Sequence, residues 1–301
     1  MDQPLLVFIT VAEKRNFSRA AEELHMTQPA VSQYIQALER DFGTRLLERN
    51  NKYVGLNKAG EIVYHHAKEI LGLYSKMQRL IDDTTNKTSG PLTIGASYTF
   101  GEYVLPRIMV KMLDQYPLVK PNISIGNTKE IAELVLQNQL DVGIVEGEFK
   151  SKKLIIEPFA KDTMYVVVGR QHPLAKVEGE IKPSELKDET WIVREDGSGT
   201  RDASEAMFRL LAIDPANLME FGSIQLIKES VEAGIGISML SHWAIRKELS
   251  MGVLQILNVQ GLPFTREFSI VTTSPFRTKA LDTFIDMVRK ERIDKDTAEF
   301  Q

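Results

Sequence analysis

Residues 16–39 have the sequence NFSRAAEELHMTQPAVSQYIQALE, and this stretch decides the fold of the N-terminal part of the chain. In its second half Thr27 can cap a helix, and Pro29 falls in the first turn, where a missing N–H costs nothing. Apolar residues then follow at spacings of four, three and four, which predicts a helix with one buried face. They are Val31, Ile35, Leu38 and Phe42.

Two further helices are predicted upstream of this one. Apolar residues at helical spacing predict an amphipathic helix over residues 3–13. Ser18 can cap a second helix from Arg19 to His25, and two adjacent alanines in it permit a close helix crossing. Two short helices joined by a tight turn, the second beginning with polar side chains, form the plan of a helix-turn-helix.

The outer face of the third helix carries side chains suited to contacting DNA bases. Amide side chains pair bidentately with adenine, and small hydroxyls fit either kind of base pair. The alternative is a small helical core whose polar face binds nothing. The polar side chains at the start of this face are Gln28, Ser32, Gln33 and Gln36.

A basic hairpin is predicted after the third helix. Residues 46–49 and 53–56 have the pattern of two short strands around a turn, which makes a wing. Arg49 or Lys52 could contact a phosphate or the minor groove from this wing. The whole chain has a net charge of −4, but residues 43–58 contain four basic residues and one acidic residue. A local basic ridge can therefore follow the DNA backbone.

The same residues resemble a known family. Residues 16–24, 27–32, 46–49 and 57–60 strongly resemble the winged helix-turn-helix of LysR-type transcription regulators, and the match covers nearly all of residues 3–64 without a gap. The resemblance implies that the start of the third helix faces bases and that Arg49 acts from the wing. The residues predicted to contact promoter DNA are Thr27, Gln28, Pro29, Ser32, Gln33, Gln36, Arg49 and Lys52.

A long amphipathic helix is predicted next, from a cap at Asn57 to about Asn86. Its apolar residues recur at steps close to a coiled-coil seam, which calls for a partner helix. The LysR resemblance implies pairing between two subunits, so we expect a homodimer that assembles into a tetramer. The alternative is packing against the chain's own C-terminal domain. Residues 84–91 are polar and predict a hinge. The seam residues are Ile62, His66, Ile70, Leu73, Met77 and Leu80.

From Leu92 onward short apolar runs alternate with helical stretches, which predicts an α/β fold with a largely parallel sheet. Two chain crossings would make a hinged pair of lobes with a cleft between them. This pattern agrees with the effector domain of LysR regulators, which resembles periplasmic solute-binding proteins. We predict a winged helix-turn-helix over 1–57, a dimerisation helix and hinge over 58–90, and a two-lobed effector-binding domain over 91–301. Its lobes would be residues 91–162 plus 267–301, and residues 163–266.

Three segments are predicted to meet at this cleft, because each follows a strand and opens a helix. Hydroxyl groups and free N–H groups at helix starts make an anion-binding arrangement, and Arg201 could add a positive charge. The alternative is that the serines and threonines are ordinary helix caps and Arg201 lies on the surface. The predicted effector-binding residues are Ser97, Tyr98, Thr99, Glu146, Ser198, Thr200, Arg201 and Ser223.

Composition excludes several classes of site. The chain has no cysteine, and its five histidines form no metal-binding pair, so neither a metal nor another cofactor is expected. The N-terminus lacks a signal-peptide pattern, and no apolar run approaches the roughly 20 residues of a membrane span, so a cytoplasmic location is expected. The sequence contains no recognisable serine–histidine–acid arrangement of the kind that would indicate an enzyme.

The sequence thus predicts a LysR-type transcription regulator that is modulated by a small anionic effector. Its expected partners are double-stranded promoter DNA, that effector, a second copy of the chain and RNA polymerase. No association with a membrane is expected. An enzyme and a free-standing solute-binding protein leave the helix-turn-helix unexplained. A ligand-independent repressor or architectural DNA-binding protein remains as the alternative.

Overall fold

The computed structural model describes residues 2–50, 53–82, 88–147 and 149–291. The chain divides into two compact units, of which the first comprises Met1–Thr85 with Gln137–Gln139 and the second comprises Asn86–Leu136 with Leu140–Gln301. Each unit has its own hydrophobic clusters. None of the helices in the described ranges has the length and apolarity that crossing a bilayer requires.

The first unit consists of α1 (Asp2–Lys14), α2 (Phe17–Glu23), α3 (Gln28–Asp41), β1 (Leu47–Asn50), β2 (Tyr53–Leu56) and α4 (Lys58–Asp82). It is helical apart from the antiparallel hairpin of β1 and β2. Its third helix begins at the predicted cap and buries Val31 and Ile35 completely against α1 and α2. The adjacent alanines of α2 are buried at this crossing, as their small size allows.

The second helix differs from its predicted bounds. It begins at Phe17, because the Asn16 side chain and not that of Ser18 provides the cap: Asn16 Oδ1 accepts from the N–H groups of Ser18 at 2.9 Å and Arg19 at 3.0 Å. It ends at Glu23, and His25 has a φ of 53°, which no helix accommodates. Asn and Ser are comparable caps, so the pattern alone could not choose between them.

The second unit is an α/β structure. It also contains two short 3₁₀ helices, Pro173–Lys176 and Pro183–Leu186. Its helices are α5 (Tyr98–Tyr103), α6 (Leu105–Gln115), α7 (Thr128–Leu136), α8 (Gly199–Leu211), α9 (Ile224–Glu232), α10 (His242–Met251) and α11 (Lys279–Lys290). Its strands are β3 (Gly90–Ser97), β4 (Val119–Gly126), β5 (Val142–Glu146), β6 (Ile155–Gly169), β7 (Thr190–Val193), β8 (Asn217–Glu220), β9 (Ser238–Ser241), β10 (Leu254–Ile256) and β11 (Phe264–Thr272).

Two long antiparallel strands, β6 and β11, connect two lobes of this unit. In the first lobe β4, β3 and β5 are parallel and β11 runs antiparallel beside β5. In the second lobe β6 pairs with β9 and β10, while β7 and β8 form a parallel pair. Each lobe has its own buried cluster, around Phe268 and Phe284 in the first and around Trp191 in the second. Trp243 of α10 packs into the first cluster.

Two separate helices, α5 and α6, follow strand β3. Helix α5 ends at Tyr103 and α6 starts at Leu105, with Val104 between them. Pro106 explains the break, because it cannot donate the hydrogen bond that would continue α5 and it suits the first turn of a new helix. The consequence is a short α5 directly after β3, which places Tyr98 and Thr99 in its first turn.

Candidate functional site

The third helix presents a polar face opposite its buried one. Thr27 caps it, with Oγ1 accepting from the N–H of Ala30 at 3.4 Å. The predicted base-contacting residues of α3 and its cap therefore lie at one outer surface. Of these, Thr27, Gln28, Pro29, Gln33 and Gln36 are exposed and Ser32 is half-buried.

The wing is tied to the end of this helix by Glu39. Its Oε1 accepts from the N–H groups of Leu46 at 2.9 Å and Leu47 at 3.3 Å, which fixes the start of β1. Of the two predicted basic contacts, Arg49 lies in β1 opposite Val54, whereas Lys52 lies outside the described residues. The hairpin therefore follows α3 in a defined orientation.

Helix α4 leaves most of its predicted seam exposed in the single chain. Leu73 is 57% exposed, and Leu80 is half-buried. His66 is also exposed, with its Nδ1 2.8 Å from Glu69 Oε2. The other exposed apolar seam residues are Ile62, Ile70 and Met77. A row of exposed apolar side chains on one helix face is what a partner helix would cover.

A polar cluster joins the start of α4 to α1. The Tyr64 hydroxyl donates to Glu13 Oε1 at 2.8 Å, and Lys68 Nζ donates to the same oxygen at 3.1 Å and to the Tyr64 hydroxyl at 3.2 Å. Burial works to raise the pKa of Glu13, but donation from Tyr64 and Lys68 outweighs it and holds that pKa below its ordinary value. The carboxylate thus anchors α4 against the helix-turn-helix core.

In the second unit a buried arginine brings three of the predicted cleft residues together. Arg266 on β11 pairs through Nη1 with Glu146 Oε2 at 2.9 Å and through Nε with Asp162 Oδ2 at 2.8 Å. It also donates to the hydroxyls of Thr200 and Thr99, each at 3.0 Å. Glu146, Thr99 and Thr200 therefore converge on one guanidinium that links β5, α5 and α8.

This cluster holds two carboxylates and one guanidinium in an almost dry environment. Asp162 is 0% exposed and faces Arg266 across the β6–β11 pair. Burial raises the pKa of Asp162 above its ordinary value. The positive charge of Arg266 acts in the opposite direction but does not outweigh burial, because Arg266 is also paired with Glu146. Burial also works to lower the pKa of Arg266, but the two carboxylates outweigh it and keep that pKa raised. The guanidinium therefore stays charged.

Of the remaining predicted cleft residues, Ser97 lies at the edge of this cluster, and Ser198 and Ser223 cap helices. Ser97 Oγ lies 3.2 Å from Thr128 Oγ1, which in turn donates to the Glu146 carbonyl at 3.1 Å, so Ser97 adjoins the cluster. Ser198 caps α8, accepting from the N–H of Thr200 at 3.3 Å. Ser223 caps α9 and accepts from Leu226.

Arg201 lies apart from these hydroxyls. Its Nε donates to Glu205 at 2.7 Å, and its Nη1 donates to the Arg194 carbonyl at 3.1 Å and to Glu220 at 3.3 Å. The guanidinium that donates to the Thr99 and Thr200 hydroxyls is that of Arg266 and not that of Arg201, to which the sequence analysis assigned the positive charge. One helical position decides this, because the side chain after Thr200 leaves α8 in a different direction.

Sequence reasoning missed four buried polar residues of this region: Arg266, Asp162, Thr128 and Arg194. Arg194 is 1% exposed, forms a bidentate pair with Glu195 at 2.7 Å, and has its guanidinium carbon 4.4 Å from the Tyr98 ring centroid. The available signal was a charged residue next to an apolar strand: Asp162 immediately precedes a strand-like run, and Arg266 stands two residues before another. Such a residue, if buried, needs a partner of opposite charge.

A cavity of about 430 Å³ lies beside the cluster, between α8 and β11. It is lined by Arg266 together with the acidic residues Asp202, Glu205 and Glu267, and by Arg209. Burial, followed by the neighbouring carboxylates of Glu205 and Asp196, raises the pKa of Asp202. The cavity thus combines three acidic and two basic side chains.

One group in the described part of the chain could hold a metal ion. His65, His66 and Glu69 have ligand atoms within 4.8 Å of one another on α4. The two histidines are exposed and already face the Glu69 carboxylate. This group lies on the helix and not in the cleft, and it gives no reason to assign a metal to the cleft.

Comparison with known proteins gives a separate family match for each end of the chain. A family model described as "LysR substrate binding domain" matches residues 85–292, and one described as "Bacterial regulatory helix-turn-helix protein, lysR family" matches residues 3–61. A curated relative, the HTH-type transcriptional regulator CysL of Bacillus subtilis (strain 168), is 37% identical over 287 residues, covering 95% of each chain.

Two solved structures have a similar fold, one over nearly the whole chain and one over the second domain. A full-length OxyR variant from Pseudomonas aeruginosa matches with a TM-score of 0.74 and 25% identity, covering 96% of this chain and 95% of that one. The regulatory domain of CcmR from Synechocystis, solved in complex with 2-PG, matches with a TM-score of 0.60 and 29% identity, covering 67% and 96%. These likenesses confirm the predicted fold class, with an N-terminal helix-turn-helix and a two-lobed second domain.

The Arg266 cluster predicts a large effect on stability. Arg266→Met leaves Glu146 and Asp162 buried without their counter-charge and should lower the free energy of unfolding by about 3–5 kcal/mol, measured by urea unfolding at pH 7. The exposed Arg170→Met serves as the control and should change it by less than about 0.5 kcal/mol. Equal losses in the two variants would remove Arg266 from this role.

The same variant has a predicted pH dependence. Because the folded-state pKa of Asp162 is raised, its contribution to stability is full below its unfolded-state pKa and is lost as the pH rises through the folded value. Protonation of Asp162 therefore removes its unpaired charge in the variant. The loss caused by Arg266→Met should be smaller at pH 5 than at pH 7, and a loss independent of pH would contradict the assignment.

Proposed function

The chain belongs to the LysR family of DNA-binding transcription regulators, and from that premise we propose that a small anionic effector bound between the two lobes sets its activity. It is a regulator and not an enzyme, as its relatives are. The observation that carries the effector proposal is the convergence of Thr99, Thr200 and Arg266, which together offer two hydroxyls and a guanidinium from both sides of the cleft.

Such a site can act on regulation because it touches both lobes. Thr99 belongs to α5, after β3 of the first lobe, and Thr200 belongs to α8 of the second. A ligand that bonds to both hydroxyls favours one hinge angle over another by its difference in affinity for the two. The likeness to the CcmR regulatory domain, solved with 2-PG, supports a small ligand in this domain. Ser97, Tyr98, Glu146 and Ser198 would complete the surroundings, and Ser223 would lie at the edge.

The DNA contacts follow from the exposed face of α3. We propose that Thr27, Gln28, Pro29, Ser32, Gln33 and Gln36 meet double-stranded promoter DNA in the major groove, with Arg49 and Lys52 of the wing on the backbone. The exposure of this face and the burial of Val31 and Ile35 opposite it support the proposal. Neutral amides and hydroxyls at such positions contact base edges.

Self-association is proposed through the exposed seam of α4. Pairing of two such helices would give a dimer, and two dimers a tetramer, placing several DNA-contacting helices in one assembly. We propose that the assembled protein acts on promoters in the cytoplasm and contacts RNA polymerase there. The apolar side chains that remain exposed along α4 support the pairing.

Base contact by α3 is tested with Gln33→Ala. The variant should lose about 1–3 kcal/mol of binding to the specific promoter site and much less to random DNA, because an amide pair with a base is specific. Fluorescence anisotropy on both DNAs measures this. Gln171→Ala, an exposed amide of the second unit, is the control and should match wild type on both. Equal losses on the two DNAs would show that Gln33 only positions the protein.

The seam is tested with Leu73→Glu. A charge in the subunit contact should give monomers in analytical ultracentrifugation, because burying an unpaired carboxylate is costly. Ser75→Glu adds the same charge at an exposed position on the opposite side of α4 and should leave the oligomer intact. An unchanged oligomer in Leu73→Glu would exclude this residue from the interface.

The effector site is tested with Thr200→Val, which keeps the shape and removes a hydroxyl. It should weaken an anionic ligand by about 1–3 kcal/mol and shift ligand-dependent transcription to higher ligand concentration. Ser97→Ala should have a smaller effect in the same direction. Thr283→Val on α11 is the control. If both cleft variants responded as wild type does, the cleft assignment would be wrong and ligand-independent regulation would be favoured.

A further inference from the structure

Glu146, the last residue of β5, occupies the donors that an anion would use. Its Oε1 accepts from the N–H groups of Thr99 at 2.8 Å and Phe100 at 3.2 Å. Its Oε2 accepts from the Thr99 hydroxyl at 3.2 Å and lies 2.9 Å from Arg266 Nη1. Four donors surround one carboxylate that is only 3% exposed. A sulfate, phosphate or carboxylate ligand would be bound by the same kind of shell.

We propose that Glu146 is an internal anion standing in the effector's place, so that an anionic effector binds by displacing this carboxylate from Arg266 and the first turn of α5. The inference rests on the proposed function, because it concerns how the same cleft receives its ligand. In the ligand-free protein the Glu146 carboxylate would occupy the anion site itself. Glu146 would then compete with the effector for these donors and would not bind the effector.

The charge balance of the cluster supports displacement over addition. A ligand that bound beside Glu146 and Asp162 would place a third acidic group around one guanidinium, and like charges repel. Once Glu146 leaves, Arg266 faces Asp162 alone, and the two amides and the Thr99 hydroxyl lose their acceptor. Buried donors without an acceptor are unfavourable, so these groups would favour a new anion.

Displacement of Glu146 would also be felt by the second lobe. Arg266 Nη1 donates to Thr200 at the start of α8 as well as pairing with Glu146. The backbone of Gly199 is seated on the Glu146 main chain so closely that a Cβ at position 199 would collide with the Glu146 carbonyl oxygen. A change at the end of β5 therefore reaches α8 directly, which connects occupancy of the site with the relation between the lobes.

A purely structural role for Glu146 makes a different prediction. If it only caps α5 and balances Arg266, its removal would weaken the fold without creating an anion site. Glu146→Gln keeps the shape and one acceptor oxygen while removing the charge. Asp162→Asn removes one negative charge from the same guanidinium, but it leaves Glu146 on the amides. The two variants separate occupancy of the donors from charge alone.

The experiment titrates sulfate, and separately inorganic phosphate, into the full-length wild type, Glu146→Gln and Asp162→Asn by isothermal calorimetry. We expect Glu146→Gln to bind at least one of these anions about tenfold or more tightly than wild type, and Asp162→Asn to gain clearly less. Thr200→Val added to Glu146→Gln should reverse part of the gain, which places the anion in the cleft.

Three results would overturn the inference. Affinity in Glu146→Gln no greater than in wild type, while Thr200→Val still weakens wild-type binding, would refute displacement and leave the cleft proposal intact. An equal gain in Asp162→Asn would show an effect of charge and not of occupancy. Absence of binding in every variant would count against both proposals. If Glu146→Gln is unstable, its melting temperature with and without sulfate at equal ionic strength supplies the test, because an anion that takes the place of the carboxylate should raise that temperature more than it does in wild type.

Discussion

The Arg266 guanidinium is removed from water and has to find its counter-charges inside the protein, because an unpaired buried charge costs several kcal/mol. Glu146 at the end of β5 and Asp162 on β6 meet this requirement, and the hydroxyls of Thr99 and Thr200 take the remaining N–H groups. These partners come from both lobes and from both crossing strands. The pairing therefore fixes the inward face of β11 and the seating of α8.

In our proposal the same pairing is what an anionic effector would change. A guanidinium that contacts Glu146, Asp162 and two hydroxyls would keep part of its counter-charge when a ligand replaced one of these acceptors. The ligand changes the relation of the lobes only to the extent that it binds one arrangement better than the other. Such a change would act on transcription, because members of this family are transcription regulators with a DNA-binding domain.

Local patterns were sufficient where local interactions decide the structure. The cap at Thr27, the period of Val31 and Ile35, and the alternation of strands and helices after Leu92 all act within a few residues, and the structure follows them. The predicted bounds of α2 were wrong although their cause is also local, because Asn16 and Ser18 are comparable caps. The cluster could not be predicted in this way, because Arg266 and Asp162 are 104 residues apart and meet only through the β6–β11 register.

The most direct test of this account is a crystal structure of the full chain grown with selenate, whose anomalous scattering locates the anion. The account predicts selenate within hydrogen-bond distance of Arg266, the Thr99 hydroxyl and the Thr200 hydroxyl, with the Glu146 carboxylate withdrawn from the N–H groups of Thr99 and Phe100. An anion bound in the cleft while Glu146 keeps both of these hydrogen bonds would contradict it.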